Sequence, residues 1–186
     1  MDILDIFKET GALLKGHFLL SSGLHSGQYL QCALVLQYPR YAKRLGEAIA
    51  DKFKDKGINC VAGPALGGII IAHETAKALK ARCIFWEREN GKMILKRGFR
   101  LNPREKVLVV EDVITTGRSV EELIEAIKSS GADVVGVGAL AKRSAEKIDF
   151  GCDTRPLIQL DIKTFKPEAC PLCKKGQPAV KPGSRR

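Results

Sequence analysis

Short aliphatic runs alternate with helical spacings along most of the chain. Ile58 to Ala62, Val107 to Val110, Val134 to Ala141 and Leu157 to Leu160 are apolar stretches that read as strands, and Val107 to Val110 as one buried on both faces. Between them the period changes. Leu45, Ile49 and Phe53 fall four apart within Arg40 to Lys56, Ile69 to Leu79 continues as a helix, and Val120, Leu123, Ile124 and Ile127 recur at helical spacing until Gly131. Arg82 to Trp86 reads as a further strand leading into the hairpin turn Asn90-Gly91. At the N-terminus, Ile3, Ile6 and Phe7 mark a short helix ending near Gly11. His17 to Leu30 then reads as strand, glycine-broken turn and strand. The alternation predicts an α/β fold with a central parallel sheet, flanking helices and right-handed crossovers.

Composition sharpens this only in part. A chain of 186 residues with 45% hydrophobic and 28% charged residues suits one domain spanning 1–186 with appended pieces. No apolar run approaches a membrane span, and Met1-Asp2-Ile3-Leu4-Asp5 lacks the basic-then-apolar pattern of a signal peptide, so a cytoplasmic protein without membrane partners is expected. Half of the net charge of +10 comes from Lys174, Lys175, Lys181, Arg185 and Arg186 in a basic C-terminal tail, 166–186. The remainder suits a multiply charged small anion, and 6% aromatic residues offer few platforms for a polynucleotide.

The six cysteines are mostly scattered among apolar neighbours, as reduced core thiols are. Cys170-Pro-Leu-Cys173 is the exception. It is half of a zinc site, but no second C-x2-C or histidine pair follows, and His17, His25 and His73 are distant in sequence. A surface turn or a redox-sensitive pair is the expectation, with no metal held directly by side chains.

The candidate chemistry lies in Val107 to Ser119. Glu111 and Asp112 follow an apolar strand, where open α/β sheets place their ligands. After Val113 and Ile114, the stretch Thr115, Thr116, Gly117, Arg118 and Ser119 supplies backbone N–H groups, three hydroxyls and a tight turn, a composition suited to phosphate. Ser119 with Glu122 fits a capping box opening the next helix, whose N-terminus would favour an anion. Two carboxylates beside a phosphate site require hydroxyls or a cation, and a phosphorylated sugar meets both demands. Gly63 to Gly68 is a second glycine-rich strand-to-helix turn. By itself it is a weak signal, yet two such units can bring two anion sites to one sheet end.

The run from Val107 to Ser119 resembles the 5-phosphoribosyl-1-diphosphate (PRPP) signature of the type I phosphoribosyltransferases. The Phe18 to Leu30 region, the Gly63 to Gly68 turn, Arg143 and the tail from Cys170 narrow the resemblance to orotate phosphoribosyltransferases over nearly the full length. That resemblance implies the type I fold, with residues 1–35 contributing a small hood. It implies transfer of phosphoribosyl from PRPP to N1 of orotate, giving orotidine 5′-monophosphate and diphosphate, with Mg²⁺ bound through PRPP. Glu111 and Asp112 would hold the ribose hydroxyls, Thr115 to Ser119 the 5-phosphate, and Ala65, Leu66, Gly67 and Gly68 the diphosphate, with Val113 and Ile114 also among the PRPP-binding positions. Thr115, Arg143 and the backbone of Tyr29 and Leu30 would hold orotate, Arg143 by a bidentate fork on its carboxylate. Arg88 and Lys92 would lie on a mobile loop, shared across a homodimer, with Glu111, Asp112 and Lys92 the catalytic set. The chain departs from many members at Ser21, where they carry Lys, at Leu66-Gly67, where they carry Tyr-Lys, and in a loop without histidine. Lys96 or Arg97 is the candidate for the missing charge. Two alternatives stay open: an adenine-type purine phosphoribosyltransferase, and a regulator of the same fold that binds PRPP and nucleic acid.

Overall fold

The apolar runs become strands in a computed structural model that describes residues 2–20, 22–143 and 148–182. Ser21, Arg185 and Arg186 lie outside the described residues. Along the chain come α1 (Ile3–Glu9), β1 (Leu13–Leu19), β2 (His25–Leu30), α2 (Ala33–Leu36), α3 (Pro39–Phe53), β3 (Cys60–Pro64) and α4 (Gly67–Leu79). There follow β4 (Arg82–Glu89), β5 (Lys92–Leu95), β6 (Lys106–Ile114), α5 (Arg118–Ser129), β7 (Asp133–Lys142), β8 (Thr154–Gln159), β9 (Thr164–Phe165) and α6 (Pro171–Lys174). Two compact units result, one of residues 1–35 with 161–186 and one of residues 36–160.

The larger unit is a six-stranded sheet in the order β5-β4-β3-β6-β7-β8, parallel except for the β4–β5 hairpin at its edge. Strand alternation sends side chains to both faces. Cys60, Ala62, Ile84, Trp86, Val107, Val109, Val137 and Ala139 pack with Val120, Leu123, Ile124 and Ile127 of α5. On the other face α3 presses so close that a Cβ on Gly138 would meet Ile49 Cγ2 at 2.6 Å, and one on Gly136 would meet Phe53 Cε1 at 2.6 Å. Helices therefore cover both faces. Asn90 (φ 49°) and Gly91 (φ 80°) give the hairpin turn the left-handed backbone expected of that dipeptide.

The smaller unit is a three-stranded antiparallel sheet, β1-β2-β9, with α1 and a core that includes Ile6, Phe7, Phe18, Leu30, Ile162 and Cys170. The N-terminal and C-terminal segments of the chain build it together.

Helices α3 and α4 approach most closely at Gly46, where a Cβ would lie 2.7 Å from the Glu74 carbonyl carbon and 2.9 Å from the Thr75 nitrogen. Overpacking costs roughly 1–3 kcal/mol, against about 1 kcal/mol that Ala gains over Gly in a helix. Backbone atoms cannot rotate aside, so the cost prevails. Gly46→Ala is expected to lower the urea midpoint at unchanged slope, and an unchanged or raised midpoint would contradict this packing.

Candidate active site

Strands β3 and β6 are neighbours that part company. They pair from Cys60↔Val107 to Ala62↔Val109, after which β3 turns away through Ala65 and Leu66 into α4. From β3 the chain goes by α4 to β4 on one side, and from β6 by α5 to β7 on the other. The crevice between two strands whose connections diverge is where open α/β sheets bind ligands. Both glycine-rich turns open onto it.

The acidic pair does not follow the strand but belongs to it, which corrects the expected end at Val110. β7 offers register partners as far as Ile114↔Lys142, with Glu111 opposite Ala139, so β6 continues on that side after losing β3 on the other. Glu111 is buried, and its Oε1 accepts the Asp112 N–H at 2.9 Å. Asp112 Oδ1 accepts the Val113 N–H at 2.8 Å. The second turn lies directly against these carboxylates. A Cβ on Gly67 would sit 2.5 Å from Asp112 Oδ2, and one on Gly68 would sit 2.8 Å from Pro64 Cδ and 3.4 Å from Glu111 Oε1. Glycine is what allows bare peptide to reach the acidic pair. Burial, and then the charge of Asp112, push the Glu111 carboxyl well above the usual glutamate range.

Gly117 (φ 83°) is the N-cap of α5, and a Cβ there would meet Ile148 and Phe150 at 3.0 Å. The expected capping box is therefore absent, because α5 begins at Arg118, two residues too early for Ser119 to cap it. Gly117 has no side chain to cap the helix, the Thr116 hydroxyl accepts the Arg118 N–H at a long 3.5 Å, and the first N–H groups have no partner within the helix. Thr115 and Thr116 are exposed at this loop. The N–H of Arg143, just after β7, donates to the Ile114 carbonyl at 2.8 Å, which brings Arg143 beside Thr115. The larger unit thus gathers residues 65–68, 111–119 and 143 at one sheet end.

The other predicted site positions need separate treatment. Arg88 and Lys92 stand on β4 and β5, two paired strands, rather than on an irregular loop. The Arg88 guanidinium donates to Glu122 on α5, which also accepts from Arg118 Nε at 2.8 Å; Arg88 foremost holds the Glu122 carboxyl below the ordinary range. Glu122 is thereby occupied by two arginines instead of by its own helix terminus. Lys96 pairs with Glu89 at 2.7 Å and Arg97 with Glu87 at 2.8 Å, so both candidates for the missing charge are engaged within the hairpin. Tyr29 and Leu30 end β2 in the smaller unit, with the Leu30 side chain buried.

A phosphoribosyl transferase domain family matches residues 34–165. An orotate phosphoribosyltransferase of Desulforamulus reducens is 55% identical over 185 residues, covering 100% of this chain and 97% of that protein. One from Thermotoga maritima is 52% identical over 183 residues, covering 98% of each. Among solved structures, orotate phosphoribosyltransferase from Aeropyrum pernix superposes with a TM-score of 0.72 at 26% identity, covering 85% of this chain and 93% of that one. Adenine phosphoribosyltransferase from Thermoanaerobacter pseudethanolicus, at 15% identity, TM-score 0.63 and coverage of 72% and 88%, shares the fold alone.

The raised carboxyl makes stability depend on pH in a definite direction. From the ordinary glutamate value of 4.5 upward, the folded chain retains a proton on Glu111 that the unfolded chain has released, so stability falls as pH rises through that window. Glu111→Gln is expected to flatten this part of the profile. Urea midpoints measured across the acidic to neutral range check it, and parallel profiles for the two proteins would exclude Glu111 as the source.

Proposed function

The chain belongs to the orotate phosphoribosyltransferase family, and from that premise we propose that it transfers the 5-phosphoribosyl group of PRPP to N1 of orotate, releasing diphosphate. The observation that carries this reading is the meeting of two strand-loop-helix turns and Arg143 beside one acidic pair, of which Glu111 is buried. PRPP bears a phosphate and a diphosphate separated by a ribose, and the crevice has two N–H-lined turns separated by carboxylates. The adenine-type alternative loses support because its structural neighbour shares the fold at 15% identity, whereas orotate enzymes share more than half of all residues across the whole length. The regulatory alternative has only the basic tail in its favour.

Each group then has a role that its surroundings support. Thr115 to Ser119 receive the 5-phosphate at the start of α5, where amides without intrahelical partners and the helix dipole favour an anion. Ala65 to Gly68 offer peptide groups to the diphosphate. Glu111 and Asp112 accept hydrogen bonds from ribose hydroxyls, and those partners offset the desolvation that raises Glu111 in the free protein. The Arg143 guanidinium forks onto the orotate carboxylate, with the Thr115 hydroxyl beside it.

Positive charge grows on the ribose and negative charge on the leaving diphosphate during transfer, so catalysis rests chiefly on placed charges and dipoles. The two carboxylates offer hard oxygen donors, which fit a magnesium ion held mainly by substrate oxygens and water. When bound, Mg²⁺ would supply charge neutralisation of the diphosphate. Lys92 at the exposed tip of the β4–β5 hairpin would add positive charge, and the resemblance supports a homodimer in which this hairpin serves a neighbouring site. It also supports contacts of orotate with the backbone of Tyr29 and Leu30, and a cytoplasmic enzyme. Among the described residues no helix is long and apolar enough to cross a membrane.

Loss of orotate absorbance with PRPP and Mg²⁺ is the direct assay, with adenine, hypoxanthine and uracil in parallel. Turnover is expected with orotate alone, and turnover with a purine instead would overturn the acceptor. Arg143→Ala should lower kcat/KM for orotate on the order of 10–100-fold, from the roughly 1.5–3 kcal/mol of a hydrogen bond to a charged group. Arg143→Lys should fall between the two, since it keeps charge without the fork. An Arg143→Ala enzyme with undiminished kcat/KM would remove Arg143 from the site.

A further inference from the structure

The smaller unit contains a group of side chains that the transfer reaction does not use. In the hairpin register His25 stands opposite Leu19, and His17 lies two residues before Leu19, so both imidazoles leave the same face of the sheet as diagonal neighbours. A bulge between Lys15 and Phe18 displaces the strand at His17, a device that re-aims a side chain. After β9 has paired with β2, the chain turns through Cys170 to Gly176. It then returns along β1, where the Val180 N–H donates to the His17 carbonyl at 2.8 Å and the Leu19 N–H to the Val180 carbonyl at 2.9 Å. The turn is seated on the hairpin, since a Cβ on Gly27 would touch Leu172 Cδ1 at 3.8 Å. The expectation that the histidines are too remote to complete the cysteine pair is thus overturned: strand pairing brings together residues separated by some 150 positions.

The ligand atoms converge. His17 Nε2 lies 2.8 Å from His25 Nδ1, 3.5 Å from Cys170 Sγ and 3.8 Å from Cys173 Sγ, and Cys173 Sγ lies 3.3 Å from His25 Nδ1. All four atoms fall within 4.8 Å of one another. A tetrahedral ion with Zn–S of about 2.3 Å and Zn–N of about 2.05 Å requires N···S separations near 3.5 Å and N···N near 3.3 Å. These three sulfur–nitrogen distances lie within about 0.3 Å of that value, and the two nitrogens would open by roughly 0.5 Å.

The protonation pattern agrees. His17 Nδ1 lies 2.7 Å from the Gln177 carbonyl, which can only accept, so Nδ1 carries the proton and Nε2 presents its lone pair to the cluster. A backbone carbonyl that fixes the tautomer in this way is the usual outer partner of a metal-bound histidine. His17, His25 and Cys170 are buried, and polar groups in such an interior require partners.

We propose that His17 Nε2, His25 Nδ1, Cys170 Sγ and Cys173 Sγ bind a structural Zn²⁺ ion that fastens the C-terminal segment to the N-terminal hairpin. Two sulfurs and two imidazoles select zinc over magnesium or calcium, which take oxygen. Four protein ligands leave no open position for substrate, so the role is structural. The two thiols lose their protons as the ion enters, and the two thiolates balance its charge. Such an anchor suits a sheet whose third strand is only Thr164–Phe165 and whose contact with β2 is two residue pairs.

Elemental analysis of the full chain, isolated without chelator, is expected to find one zinc per chain, retained in Cys83→Ser and lost in Cys170→Ser/Cys173→Ser. After chelation, cobalt(II) should produce tetrahedral visible bands and a thiolate-to-cobalt charge-transfer band. An oxygen-lined site at Glu111 and Asp112 cannot produce the latter. His25→Cys, which keeps a ligand, should still bind cobalt with a stronger charge-transfer band, so the proposal can be tested even where the double serine variant does not fold. Absence of both zinc and the thiolate band in the unaltered protein would overturn it. So would zinc retained by a folded double serine variant, or a Cys170–Cys173 disulfide in protein alkylated at lysis.

Discussion

The catalytic end of the sheet depends on how closely two peptide segments can approach one acidic pair. β3 and β6 share three register pairs and then diverge, and the chain after β3 crosses back over Glu111 and Asp112. With a Cβ at residue 67 only 2.5 Å from Asp112 Oδ2, any side chain there would have to displace the carboxylate. Glycine at 67 and 68 removes that obstacle, so bare peptide can lie against the acidic pair. Peptide groups and carboxylates meet there with no side chain between them.

The price is electrostatic and falls on Glu111. Its carboxyl is buried beside Asp112, and burial first, then the neighbouring charge, hold it well above the ordinary glutamate range. Three cations of the β4–β5 hairpin have carboxylate partners of their own, Lys96 and Arg97 within the hairpin and Arg88 on Glu122. Solvent screens pairs of this kind, so they add little to stability. They set where the hairpin charges rest without holding the hairpin rigidly. Glu122 links Arg88 to Arg118, so the hairpin and the first turns of α5 share one carboxylate.

Much of the site was legible because it is local. The strand at Val107, the acids at Glu111 and Asp112, the turn at Gly117 and the helix face of Val120, Leu123, Ile124 and Ile127 lie within one continuous stretch, and hydrophobic period alone separates them. The second turn was a weak signal by itself and became a meaningful one only beside the first. What misled were end effects. A strand ends where its partners end, and β7 carries β6 four residues beyond its apolar run. A Ser-x-x-Glu pattern caps a helix only if the helix starts at that serine, and Gly117 starts it sooner.

The sequence by itself determined the alternation of strand and helix, the phosphate-suited turn with its acidic pair, and the family resemblance, because each is written in neighbouring residues whose spacing matches a backbone period. Tertiary structure alone decided that Gly67 abuts Asp112, that Glu122 serves Arg88, and that His17 and His25 meet Cys170 and Cys173. Those meetings depend on strand register and on the closeness of peptide to peptide. Both are properties of segments far apart in the chain, and no local pattern carries them.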